Sequence, residues 1–269
     1  MKKDKISLYP LFDLFTNLVD SFEIDKGISV IPQKNITIND ATISDFDKLH
    51  YLGAYHLLRI DENVVNASQA SCNFIICCRL YKRSKVFIRY RLDAYNNNSI
   101  IFDLYNYIPS DDVTLEITAK EFKDIALIYK RFMKFKSLNT RSNNISYFIG
   151  LAYRSKAWLE SLIFFVCALE TITSSNKREN GVTEKFSSRI NNFIGYNEND
   201  LKRIYNVRSE LVHGRYKHES KKLNLELMII AEEVLRKVLL KILNDESNLA
   251  IFTNDEKRLN LFTKIDKTI

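Results

Sequence analysis

The sequence predicts an α+β protein, with a β-containing N-terminal region over residues 1–117 and an all-α helical bundle over 118–269. Two observations predict it. Residues Val86 to Asp93 alternate, with Val86, Ile88, Tyr90 and Leu92 on one face and Phe87, Arg89 and Arg91 on the other, the period of a half-buried strand. From Thr118 onward the apolar period becomes helical.

In chain order, Leu8 to Phe22 and Ser44 to Arg59 read as helices. Asn73 to Tyr81 is rich in apolar and aromatic residues and reads as a strand, paired with Val86 to Asp93 through the polar Lys82-Arg83-Ser84-Lys85. Asn96-Asn97-Asn98 marks a turn, and Ser99 to Ile108 a third strand. Pro109-Ser110-Asp111-Asp112 interrupts the pattern before a short strand, Val113 to Ile117.

Thr118 and Glu121 have capping-box spacing, and Phe122, Ile125, Ala126, Tyr129, Phe132 and Met133 form the stripe of the first helix after it. A second helix is expected over Asn144–Tyr153. A third, over Lys156–Thr173, contains the run Leu162 to Leu169 and is apolar on all sides, which places it at the centre of the bundle. Ser174 to Thr183 is a polar loop. Further helices follow over Glu184–Ile194, closed by Gly195, and Asp200–His213, closed by Gly214. A long last helix covers Leu223–Leu243, and no internal repeat is visible.

Composition narrows the function classes. The chain has 269 residues, 46% hydrophobic and 27% charged, enough for a sizeable core. A net charge of +7 and a pI near 9.0 favour polyanionic partners such as RNA, although charge alone is a weak argument. The four cysteines, Cys72, Cys77, Cys78 and Cys167, form no Cys-x-x-Cys pair, so no zinc or redox motif is suggested and buried free thiols are expected. His50 and His56 are six apart with no acidic ligand near, which fits packed histidines better than a metal site. No metal and no cofactor are expected. The longest apolar run is far short of the ~20 residues that span a bilayer, and the charged Met1-Lys2-Lys3-Asp4-Lys5 begins no signal-like stretch. A cytoplasmic protein without membrane contact is expected. No Gly-rich phosphate loop and no nucleophile elbow is present.

The chemistry-bearing residues concentrate near residue 210. Arg208 and His213 lie five apart, which on a helix is a rise of about 7.5 Å and a turn of about 500°, so they do not share a face. Histidine titrates near neutrality and serves as acid or base; arginine stays charged and forks onto phosphate oxygens. Ser209 precedes His213 by four and shares its face. Glu170 ends an apolar helix and needs a cationic partner, with Arg208 and Arg189 as candidates. Arg215, Tyr216 and Lys217, with His218, follow the motif as phosphate-contacting or base-stacking residues or as a plain solvated loop. Arg89 and Arg91, with Arg79 and Tyr81 on the adjacent expected strand, are a second candidate RNA surface. The plain structural alternative is that His213 caps a helix end while Arg208 pairs with Glu210 or Glu170.

The phrase Tyr205-Asn206-Val207-Arg208-Ser209-Glu210-Leu211-Val212-His213-Gly214 resembles the Tyr-x-x-Arg-Ser-x-x-Val-His-Gly motif of the Apea-like branch of HEPN domains, and Ala168-Leu169-Glu170 resembles a second signature of that branch. The resemblance covers about residues 118–245. It implies a HEPN helical bundle, a homodimer whose two motifs share one cleft, and metal-independent endoribonuclease activity on RNA, tRNA included. His213 would be the general acid/base, Arg208 the phosphate ligand, and Ser209 and Glu170 supporting residues. Cyclic-phosphate ends, a role in antiphage defence or as a toxin, and an antitoxin or regulatory partner are further implications. Ser209 stands where many catalytic HEPN motifs carry Asn, Asp or His. The alternative is a non-catalytic HEPN module that binds RNA, a nucleotide or a protein.

Overall fold

The chain is α+β. The structure, a computed structural model, describes residues 6–35, 54–61, 63–88, 90–93, 99–101, 114–155, 157–175, 179–217, 221–254 and 256–260. Two compact units emerge, Met1–Tyr107 with Asp111–Lys130, and Arg131–Ile269 with Ile108–Ser110.

The first unit is built on strands β1 (Ile6–Leu11), β2 (Leu14–Thr16), β3 (Phe22–Asp25), β4 (Ile28–Pro32), β5 (His56–Asp61), β6 (Tyr90–Asp93), β7 (Ser99–Ile101) and β8 (Leu115–Ile117). Six of them form one antiparallel sheet in the order β3-β4-β5-β1-β6-β7, while β2 pairs in parallel with β8. Helix α1 (Ala67–Tyr81) packs against β5. Leu57, Leu58, Phe74, Ile75 and Cys77 are fully buried.

Three expectations are corrected here. Leu8 to Phe22 is not a helix but β1, β2 and the start of β3. Pro10 has no N–H to give, and it sits beyond the stretch where β6 pairs with β1, which ends at Leu8. Residues His56 to Arg59 are strand, with His56 buried, and Ser44 to Gly53, including His50, lie outside the described residues. Asn73 to Tyr81 is helical. A short apolar run cannot be assigned by periodicity alone, and here the start is set by Asn66, whose side chain accepts from the Gln69 N–H at 3.0 Å. Arg79 is therefore no part of a strand surface; it is fully buried and its Nε donates to the Val86 carbonyl at 3.1 Å. Arg89, Asn96 to Asn98 and Phe102 to Val113 lie outside the described residues.

Helix α2 (Glu121–Ser137) opens with a reciprocal capping box: the Thr118 N–H donates to Glu121 Oε2 at 2.8 Å and the Glu121 N–H donates to Thr118 Oγ1 at 3.4 Å. The units divide between Lys130 and Arg131, inside this helix rather than at 117. The change of period marks a change of element, whereas Phe122 stacks on Phe22 with ring centroids 5.5 Å apart, tying the first turns of α2 to the N-terminal unit.

The second unit contains α3 (Thr140–Arg154), α4 (Trp158–Thr173), α5 (Val182–Ile194), α6 (Glu198–Val212), α7 (Lys221–Asn244) and the short α8 (Glu246–Ile251), which the periodicity did not predict. They form a helical bundle. Helix α4 packs against α3, α5, α6 and α7, as its all-round apolarity implies. Its Leu162, Phe165, Val166 and Leu169 are fully buried, each contributing about 1.5–3 kcal/mol relative to exposure. Among the described residues no helix is long and apolar enough to cross a membrane.

Candidate functional site

Helix α6 carries the Arg-x4-His sequence and has two chemically different faces. It begins at Asn197, whose side chain accepts from the Asn199 and Asp200 N–H groups at 2.8 and 3.4 Å. Its buried stripe is Leu201, Ile204 and Tyr205, and Arg208 falls on that stripe. At about 100° per residue, Arg208 points 140–180° away from Asn199, Arg203, Asn206 and Glu210. The arginine is thus carried toward the bundle.

There it meets α4. Arg208 Nη2 lies 2.7 Å from Glu170 Oε2 and donates to Cys167 Sγ at 3.6 Å. The Tyr205 hydroxyl donates to Glu170 Oε1 at 3.3 Å, and the guanidinium carbon stands 6.0 Å from the Tyr205 ring centroid. Phe186 of α5 packs on that ring, centroids 4.9 Å apart. The Arg208 and Glu170 side chains retain 20% and 26% exposure, so the pair is largely but not wholly withdrawn from water. Burial pushes the Tyr205 phenol up, the charge of Glu170 adds to this and Arg208 opposes it, so the hydroxyl remains a proton donor. For Arg208, burial works to lower the pKa, but the charge of Glu170 and the contact with Cys167 outweigh it and the net shift is upward. Of the two acids weighed for Arg208, Glu170 is the partner and Glu210 is not. Arg189, the other candidate for Glu170, is instead forked onto Glu179 at 2.9 Å for both bonds.

The C-terminal end of α6 is a Schellman turn. The Gly214 N–H donates to the Leu211 carbonyl at 3.2 Å and the Arg215 N–H to the Glu210 carbonyl at 2.8 Å, with Gly214 at φ +66°. His213 is the C-cap; its N–H donates to the Ser209 carbonyl at 3.1 Å, and its side chain is exposed. Ser209 is half-buried on the preceding turn. Within one copy the structure brings Arg208 and Glu170 together, and shows no contact of either with His213.

The turn sends the chain back along the outer face of α6. Arg215, Tyr216 and Lys217 then form one wall of an open cleft of about 540 Å³, and Lys202, Arg203, Asn206 and Glu210 the other. The Tyr216 hydroxyl donates to Asn224 Oδ1 of α7, which fixes the loop. The expected RNA-contacting residues are therefore gathered, but on the face opposite Arg208. Sequence reasoning did not single out Lys202, Arg203 or Asn206. The i, i+4, i+7, i+11 spacing of Asn199, Arg203, Asn206 and Glu210 is the signal that marks this face.

Among the described residues no group of His, Cys, Asp and Glu is arranged to hold a metal ion. His56 is held below the usual histidine range by burial, against a backbone hydrogen bond to Leu14 that acts in the other direction. No protein-family model, curated protein or solved structure matches this chain.

Proposed function

We propose that this protein is a metal-independent endoribonuclease of the HEPN type that acts as a homodimer. The observation that carries the reading is the setting of Arg208: a guanidinium held by Glu170 and braced by Tyr205, five residues before a histidine that reaches solvent at a Schellman end. His213 is the general acid/base that deprotonates a ribose 2′-OH, and Arg208 neutralises the charge growing on the phosphate. Ser209, one turn before His213 on the same face, orients the imidazole or the RNA.

The distance along α6 between Arg208 and His213 calls for two copies, so that the arginine of one faces the histidine of the other. Leu159, Ile163 and Cys167 form a half-exposed stripe on α4 that ends at Glu170, and Val212 is 54% exposed beside His213. An apolar strip continuous with the reactive residues suits an isologous contact. The Arg208 Nε–H is covered and has no acceptor among the described residues.

The second reading is a non-catalytic HEPN module. It is favoured by the same ion pair, because Glu170 already neutralises Arg208 in the single chain.

Purified protein incubated with total tRNA and mixed-sequence RNA in EDTA separates the two. Cleavage leaving 2′,3′-cyclic phosphate ends, lost in His213→Ala, is the expected result. Intact RNA with the wild-type protein favours the binding module. Antiphage defence or toxicity, with a regulatory partner that restrains the enzyme, is the setting that suits such an activity.

A further inference from the structure

The cleft on the outer face of α6 has a chemistry of its own. Its walls carry Lys202, Arg203, Arg215 and Lys217 against one acid, Glu210. Lys202 is shared with Glu198 at 3.6 Å. Arg203, Arg215 and Lys217 are exposed and make no ion pair among the described residues. Cations that outnumber the acids in a concave site focus a positive potential. The neutral groups match the same ligand: Asn199 and Asn206 offer amides, and Tyr216 offers a ring whose hydroxyl is pinned to Asn224. From Asn199 to Glu210 the wall runs about 16 Å, longer than a single phosphate requires.

We propose that this cleft binds the phosphate backbone of single-stranded RNA, with Arg203, Arg215 and Lys217 on the phosphates and Tyr216 available to a base. Aromatic rings beside a basic track are how such strands are held without sequence readout. The choice of RNA rests on the function proposed above, while the anion site does not. Because the cleft lies opposite Arg208 on the same helix, it is an anchoring site separate from the one that guanidinium would serve.

The test is fluorescence anisotropy of a labelled, short 2′-O-methyl oligouridylate, which 2′-OH attack cannot cut, with the full-length protein. The variant Arg203→Glu/Arg215→Glu/Lys217→Glu is expected to lose on the order of tenfold or more in affinity at about 50 mM salt, and its log–log salt slope to fall by about 2. Arg203→Gln/Lys217→Gln, a milder pair at exposed positions, is expected to fall between. The matched reversal Lys120→Glu/Lys123→Glu/Lys130→Glu, on exposed positions at and in α2, keeps wild-type affinity. The proposal is overturned if the wild-type protein does not bind the oligomer, if both triple variants lose affinity equally, or if uridine monophosphate competes as well per molecule as the oligomer does. Should oligomer binding persist in a protein that never cleaves RNA, the nuclease reading fails and the cleft stands.

Discussion

Arg208 and Glu170 meet at 2.7 Å between α6 and α4, and the Tyr205 hydroxyl occupies the second carboxylate oxygen. Removing one partner of a part-buried pair of this kind costs more than at the surface and less than in a fully desolvated pair. Glu170→Ala is expected to cost about 1–2 kcal/mol of stability by leaving the arginine uncompensated. If the carboxylate also aims the guanidinium, cleavage falls on the order of tenfold or more, with Tyr205→Phe giving a smaller loss of the same kind. Denaturant unfolding and single-turnover cleavage read the two effects separately.

His213 is exposed at a helix end, and its side chain has no hydrogen bond or ion pair among the described residues. His213→Ala is expected to shift stability by less than about 0.5 kcal/mol and to abolish cleavage. A large loss of thermal stability in this variant would show that the imidazole is structural.

Gly214 sits at φ +66° with nothing within 4 Å of the position a Cβ would take. Any penalty at this site is therefore conformational. Gly214→Ala is expected to cost about 1–2 kcal/mol, and Gly214→Asn less, since asparagine tolerates the left-handed region. Loosening the turn displaces Arg215 to Lys217, so oligonucleotide affinity falls in the same order as melting temperature.

The Arg189 hydrogen bonds hold the Glu179 carboxyl below its usual range, against the opposing effect of burial, with the charges of Arg189 and Lys185 adding to the lowering. Because the folded-state value is depressed, this stabilisation is complete above the ordinary glutamate value of about 4.3 and is lost as pH falls through the lowered one. Arg189 is 3% exposed. Glu179→Gln is expected to lose about 2 kcal/mol near neutrality and to show a shallower decline of stability below pH of about 4. Urea unfolding across that range measures both.

Several of the C-terminal helices were legible because they carry their own punctuation. Gly195 and Gly214 end α5 and α6, both at positive φ, and Thr118 with Glu121 opens α2. The ends moved by at most one residue and the starts by two to four, among them those of the helices capped by Asn139 and Asn197. The N-terminal unit was far less legible. Nine residues from Asn73 to Tyr81 are apolar enough for either a buried strand or a buried helix, and only their packing on β5 decides. Strand order is likewise invisible locally, since β1 pairs with β5 across more than forty residues.

At the candidate site, spacing alone separated Arg208 from His213, as the structure does. It did not foretell that Arg208 lies on the buried stripe of α6, because that depends on which face α4 covers. Nor did it foretell the cleft, because Arg215 and Arg203 are brought to one groove by the reversal at Gly214 and not by adjacency in the chain.

Three of the four thiols, Cys77, Cys78 and Cys167, make the molecule its own reporter once the half-covered Cys72 is replaced by serine. Cys77 and Cys78 are wholly enclosed, and burial raises both pKa values, with the Cys78 charge adding for Cys77 and Arg79 opposing for Cys78. Cys167 is only half covered and lies against Arg208. An alkylating reagent therefore reads two clocks in one tube. The Cys167 adduct follows access to the arginine, slowing when RNA or a second copy shields it, while labelling of the enclosed pair follows the opening of the N-terminal unit.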